Sequence, residues 1–285
     1  MSPKIKNNSK QQFALFAHPV QHSLSPQIHN YGFEVNRISA VYFVIDSQAS
    51  GAEIRQQILD LPLAGCNLSL PLKETLLPYL DQISPTAQLI GAVNTVKNSA
   101  GHLFGDNTDG TGFVSDLQAQ GVDLPRARVL LLGGGATARA ILVALSHAGT
   151  LQVTVAQRAG YPHYQQIQQI MMQLADPNLH ELDWSALTTL DFTNVDVVIN
   201  ATSIGFGQNK NATPLQRDQL KKLPSTTKVW DVIYEPRQTP LLQLSQQLGL
   251  ETHNGLGMLV QQAAGSFKIW TAKTLPIKAI ETFLK

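Results

Sequence analysis

Cysteine is almost absent: Cys66 stands alone in 285 residues, so no internal disulfide can form and the chain suits a reducing compartment. Beside Gly65, that thiol reads as a small buried apolar side chain rather than a nucleophile. Charge is also sparse. Asp, Glu, Lys and Arg make up 14% of the residues and leave a formal net charge of +1, which excludes the basic field of a nucleic-acid binder and the polybasic patch of a membrane-surface protein. No apolar run approaches the roughly 20 residues of a membrane span, and the polar lead over residues 1–12 has no apolar stretch of the signal-peptide kind. The expected location is the cytoplasm. No metal ligand set is evident, because His18 and His22, though spaced i, i+4, flank Pro19 in a loop with no Cys or carboxylate cluster nearby. A last absence bears on cofactor choice: no Asp or Glu lies between Asp123 and Asp176.

What is present is enough for two domains with real cores, since 43% of the residues are hydrophobic. Residues 129–132 are an apolar strand that runs into Gly133, Gly134 and Gly135, then into a helix beginning at Ala136 and reaching about His147. The pattern Gly133-x-Gly135-x-x-Ala138 is a dinucleotide fingerprint: the glycines permit a tight turn and close backbone approach to a pyrophosphate, Ala138 keeps helix and strand close, and the helix N-terminus faces the anion. Residues 153–156 read as the next strand. Where a ribose 2′-hydroxyl would want a carboxylate, about 20 residues past the glycines, the chain has Gln157 and Arg158. A guanidinium suits a 2′-phosphate, so the expected cofactor is NADP.

Taken in order, residues 13–17 form a strand leading to Ser23-x-Ser25-Pro26. Ser25 and Pro26 make a helix start, a capping hydroxyl followed by a residue whose missing N–H is no loss at the first helical position. Ser23 adds a second hydroxyl, and the two suit a substrate carboxylate. After a strand over residues 41–45 and an amphipathic helix with Ile54, Ile58 and Leu59 on one face, Ser69 and Pro71 suggest another helix opening. That would put Lys73 in a first turn, where the macrodipole disfavours a cation and eases proton exchange. Residues 90–96 read as a strand carrying Asn94, and Asp109 as a cap of the helix containing Phe113 and Leu117. Apolar runs over residues 195–200 and 229–234, alternating with helical or loop stretches, argue for buried parallel strands in a doubly wound sheet.

Seven segments then fall in register. They are Ser23-x-Ser25-Pro26; Asn67-x-Ser69-x-Pro71-x-Lys73-Glu74; Gly91-Ala92-Val93-Asn94-Thr95; Asn107-Thr108-Asp109-Gly110; the glycine turn; Asn200-Ala201-Thr202-Ser203-x-Gly205 with Asp231-x-x-Tyr234-x-Pro236; and Asn254-Gly255-Leu256-Gly257-Met258 continuing to Gln262. In this order and spacing the chain resembles the shikimate dehydrogenases over nearly its whole length.

The resemblance implies an α/β protein of two domains: a substrate domain of residues 1–109 and 256–285 around an inserted Rossmann-type NADP domain of residues 110–255. It implies NADPH-dependent, reversible reduction of 3-dehydroshikimate to shikimate, on the route to chorismate and aromatic amino acids. Lys73 would donate the proton and Asp109 would orient it and bind a substrate hydroxyl. Asn94 and Gln262 would bond ring hydroxyls, while Ser23, Ser25 and nearby Tyr234 would take the carboxylate. Ser69 stands where the family usually has threonine, keeping the hydroxyl and losing a methyl contact. Gly133, Gly134, Gly135, Ala136, Gln157, Arg158, Thr202, Gly255 and Met258 would contact the cofactor. Where the family commonly reads Asn-Arg-Thr this chain has Gln157-Arg158-Ala159, and no second basic residue is evident over residues 160–164. Two other readings stay open: an enzyme that also takes quinate or NAD, and a non-catalytic ligand sensor on the same fold. The expected partner is the small-molecule substrate, with no nucleic acid or membrane, in a monomer or homodimer.

Overall fold

A computed structural model of the chain describes residues 10–20 and 23–284. His22 lies outside them, as do residues 1–9 of the polar lead. In chain order the elements are β1 (Gln11–Ala17), α1 (Ser25–Val35), β2 (Ala40–Asp46), α2 (Gly51–Asp60), β3 (Gly65–Leu68), β4 (Gln82–Ile83), α3 (Pro85–Ile90), β5 (Thr95–Ser99) and β6 (His102–Asp106). Then come α4 (Asp109–Ala119), β7 (Arg128–Leu132), α5 (Ala136–His147), β8 (Gln152–Gln157), α6 (Pro162–Leu174), β9 (Leu179–Asp183) and β10 (Val197–Asn200). The chain closes with α7 (Arg217–Leu220), β11 (Lys228–Asp231), α8 (Pro240–Gln247), β12 (Glu251–His253), α9 (Leu256–Thr271) and α10 (Ile277–Leu284). Its contacts divide it into two compact units, one of Met1–Ala87, Ala92–Asp106 and Ala263–Lys285, the other of Gln88–Gly91 and Asn107–Gln262.

The first unit holds a six-stranded mixed sheet in the order β2-β1-β3-β5-β6-β4. β1 runs parallel to both β2 and β3, and β5 and β6 form an antiparallel hairpin. Local chemistry fixes α2 at its start, where the Ser50 Oγ accepts the Glu53 N–H and the Glu53 carboxylate accepts the Ser50 N–H at 2.8 Å, a reciprocal capping box. Ile54 and Ile58 on its inner face are fully buried, each side chain contributing about 1.5–3 kcal/mol by leaving water. Cys66 is buried, and burial pushes its thiol well up, which makes it inert as expected.

An aromatic cluster fills the other side of this sheet. Phe13 contacts Phe33 at 5.1 Å and Trp270 at 4.9 Å between ring centroids, and the His29 imidazole stacks on Tyr42 at 4.5 Å. Burial pushes His29 down to about 3, against the raising influence of the Asn67 side chain. Because the unfolded value is near 6.5, stability from keeping this ring neutral is complete above pH 6.5 and is lost as pH falls toward 3. At pH 5 the loss is about 2 kcal/mol. His29→Phe keeps an aromatic ring and removes the titration, so the stability difference between variant and parent should move in the variant's favour from pH 7 to pH 5 in urea unfolding. A difference independent of pH would refute the titration.

The second unit holds a six-stranded, wholly parallel sheet in the order β12-β11-β10-β7-β8-β9. Val129, Leu130, Leu131 and Leu132 of β7 and Val197, Val198 and Ile199 of β10 are all buried, as strands covered on both faces must be. From β7 the chain steps outward to β8 and β9, then returns to the opposite side of β7 as β10. That reversal creates a switch point beyond the ends of β7 and β10, the crevice in which doubly wound sheets bind ligands. The α/β class and the doubly wound sheet expected from sequence are thus present. Among the described residues, no helix is long and apolar enough to cross a membrane, and no group of three or more His, Cys, Asp or Glu could hold a metal ion.

Candidate active site

In the first unit a buried polar network links three of the expected substrate contacts or their neighbours. The Tyr42 hydroxyl donates to Asn67 Oδ1 at 2.8 Å and is itself hydrogen-bonded by the Ser25 side chain. Asn67 Nδ2 in turn donates to the Asn94 carbonyl at 2.9 Å, and also reaches Thr95 and Ser266. Burial pushes the Tyr42 phenol well above its ordinary value, so it stays a neutral donor. Asn94 is buried and its Oδ1 accepts the Thr95 hydroxyl at 2.9 Å. Its N–H donates to the Asp106 carbonyl, and the preceding Val93 N–H donates to the Lys73 carbonyl at 2.8 Å. Lys73 and Asn94 are therefore held one residue apart across a backbone bond. Ser69 is fixed at the end of β3 by its N–H to the Phe16 carbonyl at 3.0 Å. Ser23 lies beside α1, its Oγ accepting the Ser25 N–H at 3.3 Å.

Four local expectations are corrected here. Lys73 is not in the first turn of a helix: residues 70–76 are successive turns leading to a short 3-10 segment. The bonds are i to i+3, from Leu72 N–H to Ser69 O, Thr75 N–H to Leu72 O and Tyr79 N–H to Leu76 O, and Lys73 O is committed to Val93. The macrodipole argument for Lys73 falls with the helix. Ser25 is not the cap of α1 but its first residue; Leu24 precedes it with no side-chain cap, because the Ser25 hydroxyl is directed to Tyr42. Asp109 is likewise the first residue of α4 after Thr108, the helix being opened by the Asp109 N–H on Asn107 Oδ1 at 3.1 Å. Asn94 precedes β5 rather than lying within a strand, and Ile90 ends α3.

The second unit gathers the expected cofactor contacts at the switch point. Gly133 has φ +118°, and a Cβ there would meet Ala201 O at 3.0 Å and Thr202 Cγ2 at 3.1 Å, so the turn after β7 and the loop after β10 touch only because the residue is glycine. Thr202 is oriented by Asn200, whose Oδ1 accepts both its N–H and its hydroxyl, the latter at 2.7 Å. Beside Asn200 in register is Asp231, which accepts the Thr239 hydroxyl at 2.7 Å and the Ile233 N–H at 3.1 Å. Burial raises the Asp231 carboxyl to about 6 in spite of these donors. This pair frames the segment carrying Tyr234, which is half-buried. Gly255 donates its N–H to the Ile233 carbonyl, and Met258 is buried on α9. α9 meets α4 so closely that a Cβ at Gly112 would fall 2.5 Å from the Gln262 amide nitrogen, which places Gln262 within one helical turn of Asp109.

At the N-terminus of α5, Gly135 is the cap residue and supplies no side-chain cap, and a Cβ built there meets nothing within 4 Å. An open helix N-terminus behind a glycine turn, with Ala136 as its first residue, fits a pyrophosphate. Arg139, fully buried one turn later, ties the turn to its surroundings: its guanidinium donates to the Ile90 carbonyl at 2.8 Å, the Gly134 carbonyl at 3.4 Å and Gln166 Oε1 at 2.6 Å, and meets His163 Nδ1 at 3.2 Å. At the end of β8, Gln157 is buried and donates to Glu181 at 2.9 Å. Arg158 is exposed, its guanidinium 4.2 Å above the Tyr161 ring. From sequence, Tyr42 and Arg139 have no assigned role, and Asn67 and Asp231 stand only as members of longer motifs. The available signal was a polar residue inside an apolar or helical run, as in Cys66-Asn67-Leu68 and Ala138-Arg139-Ala140, but nothing local says which partner it finds.

Known proteins match the chain over nearly its whole length. Residues 15–96 match the family model of the shikimate dehydrogenase substrate binding domain, and residues 255–282 that of the shikimate 5'-dehydrogenase C-terminal domain. The chain is 42% identical over 273 residues to a shikimate dehydrogenase (NADP(+)) of Latilactobacillus sakei subsp. sakei strain 23K, with 93% of each chain covered. It is similar to the crystal structure of shikimate 5-dehydrogenase from Listeria monocytogenes in complex with shikimate and NAD, at a TM-score of 0.85 and 31% identity, covering 100% of this chain and 99% of that one. The shikimate 5-dehydrogenase of Thermus thermophilus in complex with NADP(H) and shikimate gives a TM-score of 0.81 at 33% identity, covering 95% and 97%.

Proposed function

From the premise that the chain belongs to the shikimate dehydrogenase family, we infer how its own residues serve the NADPH-dependent, reversible reduction of 3-dehydroshikimate to shikimate. The enzyme is an oxidoreductase of aromatic biosynthesis, and its cofactor is NADP. The observation that carries the assignment of residues is the switch point, where the glycine-capped α5 N-terminus and the Thr202 loop converge on one glycine turn.

Bound NADPH supplies a hydride to the substrate carbonyl carbon. The oxygen left behind gathers negative charge and needs a proton, which Lys73 donates, and the same amine accepts it in the reverse direction. Asp109, on the first turn of α4, takes a substrate hydroxyl, as do Asn94 and Gln262. Ser23, Ser25 and Tyr234 bind the carboxylate, and Ser69 adds a hydroxyl. The first-turn N–H groups of α5 hold the pyrophosphate behind Gly133, Gly134, Gly135 and Ala136. Thr202, Gly255 and Met258 flank the nicotinamide end, and Gln157 and Arg158 the adenosine end. We assign the substrate role to residues 1–109 and 256–285 and the cofactor role to residues 110–255. The proposed setting is the cytoplasm, as a monomer or homodimer without nucleic-acid or membrane partners.

Arg158→Ala tests the adenosine end. Charge-assisted hydrogen bonds to a 2′-phosphate contribute about 1.5–3 kcal/mol, and the exposure of Arg158 puts the effect at the lower end by solvent screening. The Michaelis constant for NADPH should rise about tenfold, with that for NADH unchanged. A parallel rise in both would make Arg158 a support of the loop instead. Assaying shikimate and quinate with each cofactor separates the strict enzyme from a broader one, and absence of turnover with all four pairs would favour the sensor.

A further inference from the structure

The end of β8 lacks a carboxylate in sequence, but the sheet brings one from the side. β9 runs parallel to β8 with Asp183 opposite Gln157, and Asp183 Oδ2 accepts the Ala159 N–H at 3.0 Å. Its other oxygen accepts the Ser185 N–H at 2.9 Å and the Ser185 hydroxyl. Those donors hold the Asp183 carboxyl below the usual carboxylate range, so it is an anion at neutral pH. The other β9 carboxylate, Glu181, is engaged differently: Gln157 and Gln168 each donate to it at 2.9 Å.

In a doubly wound sheet the loop after the second strand receives the 2′ substituent of the adenosine ribose. A 2′-phosphate there calls for N–H donors and cations. The backbone N–H immediately after Arg158 is already given to a carboxylate, and that carboxylate repels a dianion while offering lone pairs to a 2′-hydroxyl. We propose that Asp183 is a specificity-determining residue that opposes Arg158, fixing the Arg158–Ala159 loop through its backbone and narrowing the preference for NADP over NAD. The proposal rests on the assignment of the adenosine end to this loop.

Calorimetric titration of NADP+ and NAD+, and of adenosine 2′,5′-bisphosphate against adenosine 5′-phosphate, reads the effect without turnover. In Asp183→Asn the amide oxygen can still accept the Ala159 N–H, so the loop contact is kept, while the charge and the acceptor for the Ser185 N–H are removed. The 2′-phosphorylated ligands should then bind on the order of threefold to thirtyfold tighter relative to their unphosphorylated counterparts. Asp183→Ser, whose hydroxyl can also accept, should shift the ratio the same way. An unchanged ratio, or a shift toward NAD+, in either folded variant overturns the role of Asp183. Arg158→Ala run alongside separates the two levels: a ratio that responds to Arg158 but not to Asp183 sinks this proposal alone, whereas one that responds to neither sinks the assignment of the loop.

Discussion

Lys73→Ala is expected to lower shikimate turnover by about 10²–10⁴-fold, the range over which a general acid–base group contributes, while shikimate affinity changes comparatively little. The support for this expectation is positional. Lys73 is half-buried in a segment of tight turns, its carbonyl receives the Val93 N–H, and the next residue is Asn94, which belongs to the buried network of Ser25, Tyr42 and Asn67. Because that anchoring runs through the Lys73 backbone, alanine leaves it in place and the experiment reads the amine alone. Steady-state kinetics, with shikimate binding followed by calorimetry, is the measurement. Turnover within a few-fold of the parent would remove Lys73 from proton transfer.

Asp109→Asn should lower turnover by about a hundredfold or more if the carboxylate accepts a substrate hydroxyl or supports proton transfer. The structure sharpens the control. Asp109 is the first residue of α4, not its cap, and a negative charge in that first turn interacts favourably with the helix N-terminus by about 0.3–1 kcal/mol. Asparagine is nearly isosteric, and the Asp109 N–H that opens the helix on Asn107 is untouched. Loss of turnover with only a small drop in unfolding free energy identifies a chemical role; full turnover leaves Asp109 structural.

The second sheet was legible because its signals are local and redundant. The β7 strand is a continuous apolar run, the glycines follow at once, and a helix of the expected extent comes next. Such a strand must be buried on both faces, so composition constrains topology. The segment around Lys73 was not legible, although Ser69 and Pro71 carry good helix-start chemistry. Its backbone groups are claimed from a distance, by Phe16 for Ser69 and by Val93 for Lys73, and long-range bonds of this kind override a local preference worth about a kcal/mol or less. The same reason explains Ser25, whose hydroxyl serves Tyr42 rather than the end of its own helix.

By itself the sequence determined the dinucleotide turn, the alternation that builds a doubly wound sheet, and the family, and it supplied the candidate residues for the ketone and the cofactor, because each is written in order and spacing along the chain. Only the tertiary structure decided which groups answer one another across it. Strand pairing sets Asp183 opposite Gln157, where the linear sequence has no acid within reach, and helix packing sets Gln262 against Gly112. Neither could be read from spacing, since the register of a parallel sheet and the close approach of two helices depend on side chains far apart in sequence that meet only when both faces are buried.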